Sequence, residues 1–125
     1  MAENIGKIES LPLAEGNFIP NGEKRIVFGP DGRFWDDYVM RCFTLHPGAA
    51  AALHQHPWSH YLVVLSGEGR VKVGDEKGPM TPGTWVFTPP DVPHSFRNTS
   101  ETEDLVFICV VPKEGDVPPT TSGGC

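Results

Sequence analysis

Long uninterrupted segments are the first thing this sequence lacks. Its longest stretch without glycine or proline, His94 to Val111, covers 18 of 125 residues and is itself broken by the polar run Asn98-Thr99-Ser100-Glu101. A helical bundle needs several amphipathic segments free of such breaks, so an all-helical fold is excluded. Apolar runs are short as well. Ala49–Leu53 and Tyr61–Leu65 fall far below the ~20 residues that carry a helix across a bilayer. The opening Met1-Ala2-Glu3-Asn4 has neither the basic nor the apolar region of a secretory leader. Cysteine is scarce: Cys42, Cys109 and Cys125 are odd in number and show no CxxC spacing. Neither a disulfide framework nor a thiolate zinc knuckle is expected from them, and the pattern suits a reducing cytoplasm. Positive charge is in deficit, with 10 Lys and Arg against 16 Asp and Glu, a net charge of −6 and a pI near 5.2. The cations are scattered along the chain without a basic stripe, which argues against a nucleic-acid partner. What is left is the expectation of an acidic, cytoplasmic domain with no membrane partner.

Turn formers, by contrast, are abundant. The 14 glycines and 13 prolines fence off short segments rich in β-branched and aromatic residues. Strands are predicted at Arg25–Phe28, Tyr38–Leu45, Ala51–Gln55, His60–Leu65, Arg70–Val73, Thr84–Thr88, His94–Arg97 and Leu105–Val111. Gly74–Gly78 and Pro89–Pro93 are among the segments that read as turns. Tyr61–Leu65 and Leu105–Val111 are apolar on both faces, which places them inside a two-sheet structure. With no βαβ rhythm, these strands predict an all-β fold, a small antiparallel β-sandwich or barrel in a single domain. Residues 1–24 read as an N-terminal arm with a short strand around Phe18-Ile19, residues 25–112 as the barrel, and residues 113–125 as a flexible tail. The arm is suited to add an edge strand to a second copy, so a homodimer is expected.

The chemistry gathers in the histidines. All five lie between positions 46 and 94, and His54, His56 and His60 fall within seven residues. On a strand, residues i and i+2 share a face about 7 Å apart, a bite that two imidazoles can close on one metal. The Pro57-Trp58-Ser59 turn then lets His60 open the next strand beside them. His94 follows the stiff turn Pro89-Pro90-Asp91-Val92-Pro93 and offers a fourth nitrogen from another strand. Neutral imidazole suits Zn, Fe, Mn, Ni or Cu, so ligand type alone does not select the metal. A lone histidine is usually an ordinary surface or core residue; HxHxxxH with a further histidine behind a proline-rich turn is a candidate metal centre. His46, before Pro47 at a strand end, reads as a turn residue instead.

These segments have a recognisable form. Residues 48–67, GAAAALHQHPWSHYLVVLSG, resemble the first cupin motif, and residues 83–98, GTWVFTPPDVPHSFRN, resemble the second. The usual glutamate of the first motif is His60, and the usual glycine of the second is Asp91, one of the few residues that tolerate positive φ. His60 makes the chain similar to the small bacterial four-histidine monocupins, in which manganese is the known metal. Val39-Met40-Arg41, His56-Pro57-Trp58 and Pro112–Gly115 look like that group too. The resemblance implies a cupin jelly-roll β-barrel holding one divalent metal, manganese, on His54, His56, His60 and His94.

Four neutral ligands would leave the metal its full positive charge, which favours anionic ligands and acidic bound water and disfavours higher oxidation states. A six-coordinate site would keep two positions open, whereas a four-coordinate zinc would be closed and structural. Phe96 shares a face with His94 and is expected beside the metal. Both faces of the last strand are apolar, so the sequence leaves its inward face open; the resemblance favours Phe107 and Cys109. A buried free Cys109 also reads as a small hydrophobe, and Arg41 suits either a salt bridge or an anion anchor. Phe96, Phe107, Cys109 and Arg41 together form the expected substrate pocket. No acid, base or nucleophile stands at a motif position, so catalysis would rest on the metal. The expected function is a metal-dependent enzyme of the oxygenase (dioxygenase-type oxidoreductase) class acting on a small oxygen-rich organic substrate. Two alternatives stand beside it: an O₂-independent isomerase or lyase acting on a sugar-like or keto acid, and a non-catalytic small-ligand binding or sensor module.

Overall fold

The structure, a computed structural model, describes residues 4–14 and 19–117. Nine strands follow in chain order: β1 (Gly22–Phe28), β2 (Tyr38–Leu45), β3 (Ala50–His54), β4 (His60–Ser66), β5 (Gly69–Val73), β6 (Glu76–Met80), β7 (Trp85–Thr88), β8 (His94–Asn98) and β9 (Leu105–Pro112). They form two antiparallel sheets, one ordered β1-β2-β9-β4-β7 and the other β3-β8-β5-β6. The all-β sandwich expected from the turn spacing is therefore what the chain builds.

The core lies between the sheets. Along β9, Leu105, Phe107, Cys109 and Val111 are fully buried, while Val106, Ile108 and Val110 are half-buried on the outer side. This settles the inward face that the sequence leaves open. Cross-strand register then aligns Arg41, Cys109 and Leu62 in one inward row and Phe43, Phe107 and Val64 in the next. The Phe43 and Phe107 rings stack at 5.5 Å.

Three expectations are corrected. First, Glu76–Met80 is a strand, where the sequence reads a turn over Gly74–Gly78. Lys77, Gly78 and Pro79 are poor strand formers, but β6 is an edge strand paired only with β5, and an edge tolerates proline. Second, the arm does not run to residue 24, because β1 begins at Gly22. Ile19 is a buried turn residue and Phe18 lies outside the described residues. The arm also runs along its own β1: Ala14 N–H donates to the Lys24 carbonyl at 2.7 Å, and Arg25 Nε to the Leu11 carbonyl at 3.0 Å. Third, residues 113–116 belong to the folded body rather than to a tail. Lys113–Gly115 form a 3-10 turn, and Gly115 packs so tightly that a Cβ there would stand 2.6 Å from Trp58 Nε1. Residues 118–125 lie outside the described residues.

Turn chemistry holds the two motif segments in place. Gly67 has φ of 90°, and a Cβ would stand 2.2 Å from the Asp104 carbonyl oxygen, so only glycine fits. Asp91 adopts φ of 61°, the left-handed conformation anticipated for it.

The two outer faces differ in character. On the five-stranded sheet Met40, Val110, Tyr61 and Phe87 form one cross-strand row, with Ile108, Val63 and Trp85 beside it. Trp85 is 76% exposed and Tyr61 51%. On the four-stranded sheet Arg70, Lys72, Lys77 and Arg97 share the outer side. Cations that look scattered in the sequence are thus gathered by strand pairing.

Candidate metal centre

Four imidazoles meet between the sheets. His54 on β3 is the register partner of His94 on β8, and their ring centroids are 4.3 Å apart. A register irregularity between Ala51 and His54 precedes this pair. His56, just past the end of β3, lies 5.8 Å from His54 and 4.8 Å from His94. His60 opens β4 in the opposite sheet, 5.6 Å from His56 and 5.0 Å from His94. His56, His60 and His94 are almost completely buried.

Three of the rings are oriented by their own backbone. Nδ1 of His54 bonds the Ala52 carbonyl at 2.6 Å, that of His56 the Trp58 carbonyl at 2.9 Å, and that of His94 the Val92 carbonyl at 2.9 Å. A carbonyl only accepts, so each Nδ1 carries the proton and donates, which leaves each neutral ring a bare lone pair on Nε2. All three Nε2 atoms are buried and, among the described residues, make no hydrogen bond. Orphaned buried acceptors carry a desolvation cost. Ligand nitrogens of His54, His56 and His94 also lie within 4.8 Å of one another, a group able to hold a metal ion. The donor set fits a divalent cation: neutral imidazoles held at Nδ1 and aimed together at Nε2. His60 is not part of that 4.8 Å group, and among the described residues no carboxylate joins it.

Burial also disfavours protonation of two of these rings, His94 and His56. It pushes the His94 pKa down to about 3, with the neighbouring histidines adding to the shift and the Val92 carbonyl opposing it. His56 is lowered chiefly by burial as well. Ligand nitrogens must be free of protons to bind metal, and burial favours that state at His56 and His94. Two further contacts fix His56: Trp58 stacks on it at 4.8 Å with an 8° tilt, and Asp91 N–H donates to its carbonyl at 2.7 Å. The second of these ties the turn before His94 to the first motif.

Of the expected pocket residues, Cys109 lies within electrostatic range of His56. Phe96 packs edge-on against Phe107 at 5.0 Å, and both are buried. Arg41, 0% exposed, donates from Nη2 to Cys109 Sγ at 3.1 Å and from Nη1 to Asp116 Oδ1 at 3.4 Å. Lys24, also buried, reaches the same carboxylate oxygen at 2.6 Å. Arg41 therefore takes part in a buried ion network. Asp116 is the member that sequence reasoning misses, having been assigned to the tail. The signal was present, since a cation at the inward position between Val39 and Phe43 demands a counter-charge. His46 stays out of the centre: it is 44% exposed and bonds Asp104 at 3.0 Å. A cleft of about 630 Å³ opens between β6 and β7, lined by residues that include Val71, Val73, Pro79, Trp85, Val86 and Val92. Val73 is the cross-strand partner of His94, although none of the four histidines lines the cleft itself.

With this geometry in place, residues 41–111 match the cupin domain family model. The chain belongs to the cupin family. Among relatives, this cupin is 29% identical over 109 residues to Protein SchB of Streptomyces halstedii, covering 86% of this chain and 79% of that protein. Among solved structures it is similar to the polyketide cyclase RemF of Streptomyces resistomycificus, with a TM-score of 0.75, 21% identity, and coverage of 90% of this chain and 80% of that one. It is also similar to a predicted oxalate decarboxylase of Thermotoga maritima, with a TM-score of 0.72, 21% identity, and coverage of 86% and 97%. At such identities these two structures speak for the cupin fold alone. Among the described residues, no helix is long and apolar enough to cross a membrane.

Proposed function

We propose that this cupin is a metal-dependent oxidoreductase of the oxygenase class, acting on a small, oxygen-rich organic molecule. The observation that carries the reading is the convergence of three buried, proton-free Nε2 atoms with no carboxylate among them. His54, His56 and His94 would hold the cation, with His60 as the fourth ligand from the opposite sheet and manganese as the metal. When bound, the metal supplies Lewis acidity and one-electron chemistry at a centre that keeps its full positive charge.

The chain's own residues do the rest. The Ala52, Trp58 and Val92 carbonyls hold the rings in one tautomer and one orientation. Phe96 and Phe107 exclude water on one side. Cys109, tied to Arg41, lies within electrostatic range of His56. With its Nδ1 proton held by a carbonyl and its Nε2 given to metal, none of the three rings is left to act as a general base. This favours chemistry that needs no protein acid or base, and hence the oxygenase class over proton-shuffling isomerisation. The cleft between β6 and β7 is the approach for substrate, and its volume is that of a small-molecule site.

O₂ uptake by protein loaded with Mn(II) or Fe(II), measured over a panel of enols, catechols and vinyl phenols, tests the reading. Metal-dependent O₂ consumption with product formation supports it. Turnover that persists anaerobically points instead to an isomerase or lyase, and ligand bound but recovered unchanged points to a binding module.

A homodimer accompanies this reading. We place the contact on the apolar outer face around Tyr61 and Trp85 rather than on the N-terminal arm, which lies along its own β1. Trp85→Glu should convert a dimeric mass in light scattering to a monomeric one; a monomeric wild type contradicts the assignment.

A further inference from the structure

The outer face of the β3-β8-β5-β6 sheet carries a second constellation, turned away from the histidines because successive residues alternate between faces. Strand register sets Ala50, Arg97, Arg70 and Pro79 in one row, and Ser95, Lys72 and Lys77 in the next. Neighbours in such a row stand about 5 Å apart and the rows about 7 Å apart. Four of the chain's 10 lysines and arginines therefore occupy one small patch of a protein whose net charge is −6.

Arg70 directly faces Arg97, and Lys72 directly faces Lys77. Like charges in directly opposed positions destabilise a sheet. Among the described residues, no carboxylate relieves them. Among the described residues, none of the four side chains makes an ion pair or hydrogen bond, and Glu76 belongs to the inward row as the partner of Val73. The patch is also concave. Its cations line a hollow of about 470 Å³ together with Ala50–Leu53, whose small alanines on the edge strand β3 flank the long basic side chains on one side. That volume lies in the range of small-molecule sites.

We propose that this hollow is a binding site for a compact multivalent oxyanion, a small molecule bearing at least two phosphoryl or carboxylate groups. The paired guanidinium forks of Arg70 and Arg97 match one oxyanion group bidentately, and the Lys72 and Lys77 ammonium groups serve the second as point charges. A negatively charged protein repels such a ligand at long range. Over the ~8–10 Å at which salt leaves charges effective, the four local cations dominate.

Isothermal titration of the metal-loaded, full-length protein with inorganic pyrophosphate, and separately with citrate, tests this. The comparison is with the double variant Arg70→Gln/Lys77→Gln, whose substitutions are exposed and lie away from the histidines. Saturable one-to-one binding at low salt, weakened about tenfold or more in the variant at unchanged metal content, is the expected result. Tighter binding of pyrophosphate assigns the site to phosphoryl groups, and tighter binding of citrate to carboxylates. The variant should melt no lower than wild type, since it removes repulsion. The proposal is overturned by the absence of saturable binding of either anion. It is also overturned by equal affinity in the variant, which would place the anion elsewhere, or by a short oligonucleotide that binds far more tightly than both, which would mark an extended polyanion surface.

Discussion

Asp116→Ala removes a carboxylate that faces two buried cations, and the geometry sets the scale of the loss. Lys24 Nζ stands 2.6 Å and Arg41 Nη1 3.4 Å from Asp116 Oδ1, with Arg41 at 0% exposure and Asp116 at 21%. At an effective dielectric constant near 20, the two attractions are roughly 6 and 5 kcal/mol in gross terms. Most of that offsets the desolvation of the charges, and breaking one partner out of a buried pair typically costs about 3–5 kcal/mol. The partly exposed carboxylate and the contact Arg41 keeps with Cys109 place the expected loss at the lower end, about 3 kcal/mol. For a chain of 125 residues this corresponds to a fall in Tm of about 11 °C. Calorimetry at equal metal occupancy measures it, with urea titration to show that m is unchanged. Adding Arg41→Met and Lys24→Met to the Asp116 variant should recover part of the loss, because the triple variant removes both buried cations along with the carboxylate. A fall of less than about 3 °C for Asp116→Ala would refute the view that residues 113–116 anchor the charge network.

Acid should destabilise the metal-free protein through the histidines. His94 titrates at about 3 when folded and near 6.5 when unfolded, so the unfolded chain binds the proton first. The stability from keeping it neutral is therefore complete above pH 6.5 and lost as pH falls toward 3, with about 2 kcal/mol gone by pH 5. His56, lowered in the same direction, adds to this. Urea titration of chelator-treated protein at pH 7 and pH 5 reads the difference, and equal stability at the two values contradicts it. His46 behaves in the opposite sense. Its hydrogen bond to Asp104 raises its pKa above 6.5, so its contribution is present below that pH and fades as pH rises through the folded pKa. NMR titration should show the raised value returning toward 6.5 in Asp104→Asn.

Most of the framework is legible in the sequence because turn formers and histidine spacing are local signals. β2 appears at its expected limits, Tyr38–Leu45, fenced by turn residues on both sides. The candidate ligands His54, His56, His60 and His94 are marked by motif spacing, while the pairing of His54 with His94 comes from the β3–β8 register. What the sequence hides is set by tertiary context. β6 has weak strand formers and exists because β5 offers it an edge. Asp116 lies 75 residues from Arg41, and the docking of Gly115 against Trp58, with the Lys113 N–H bonded to the Asp37 carbonyl, brings it there. The cation patch arises when Arg70 and Lys72 alternate onto one face and chain reversals bring up Lys77 and Arg97, a coincidence of register that linear spacing does not display.

The central claim is that three Nε2 lone pairs converge on one metal, and metal content tests it directly. The measurement is elemental analysis of protein purified without chelator and then offered Mn(II), made on wild type, His94→Ala and His60→Ala with circular dichroism to confirm the fold. The account predicts about one equivalent per wild-type chain, loss of nearly all of it in His94→Ala, and weakened retention in His60→Ala. A folded wild type that takes up no metal, or a folded His94→Ala variant that retains a full equivalent, would contradict it.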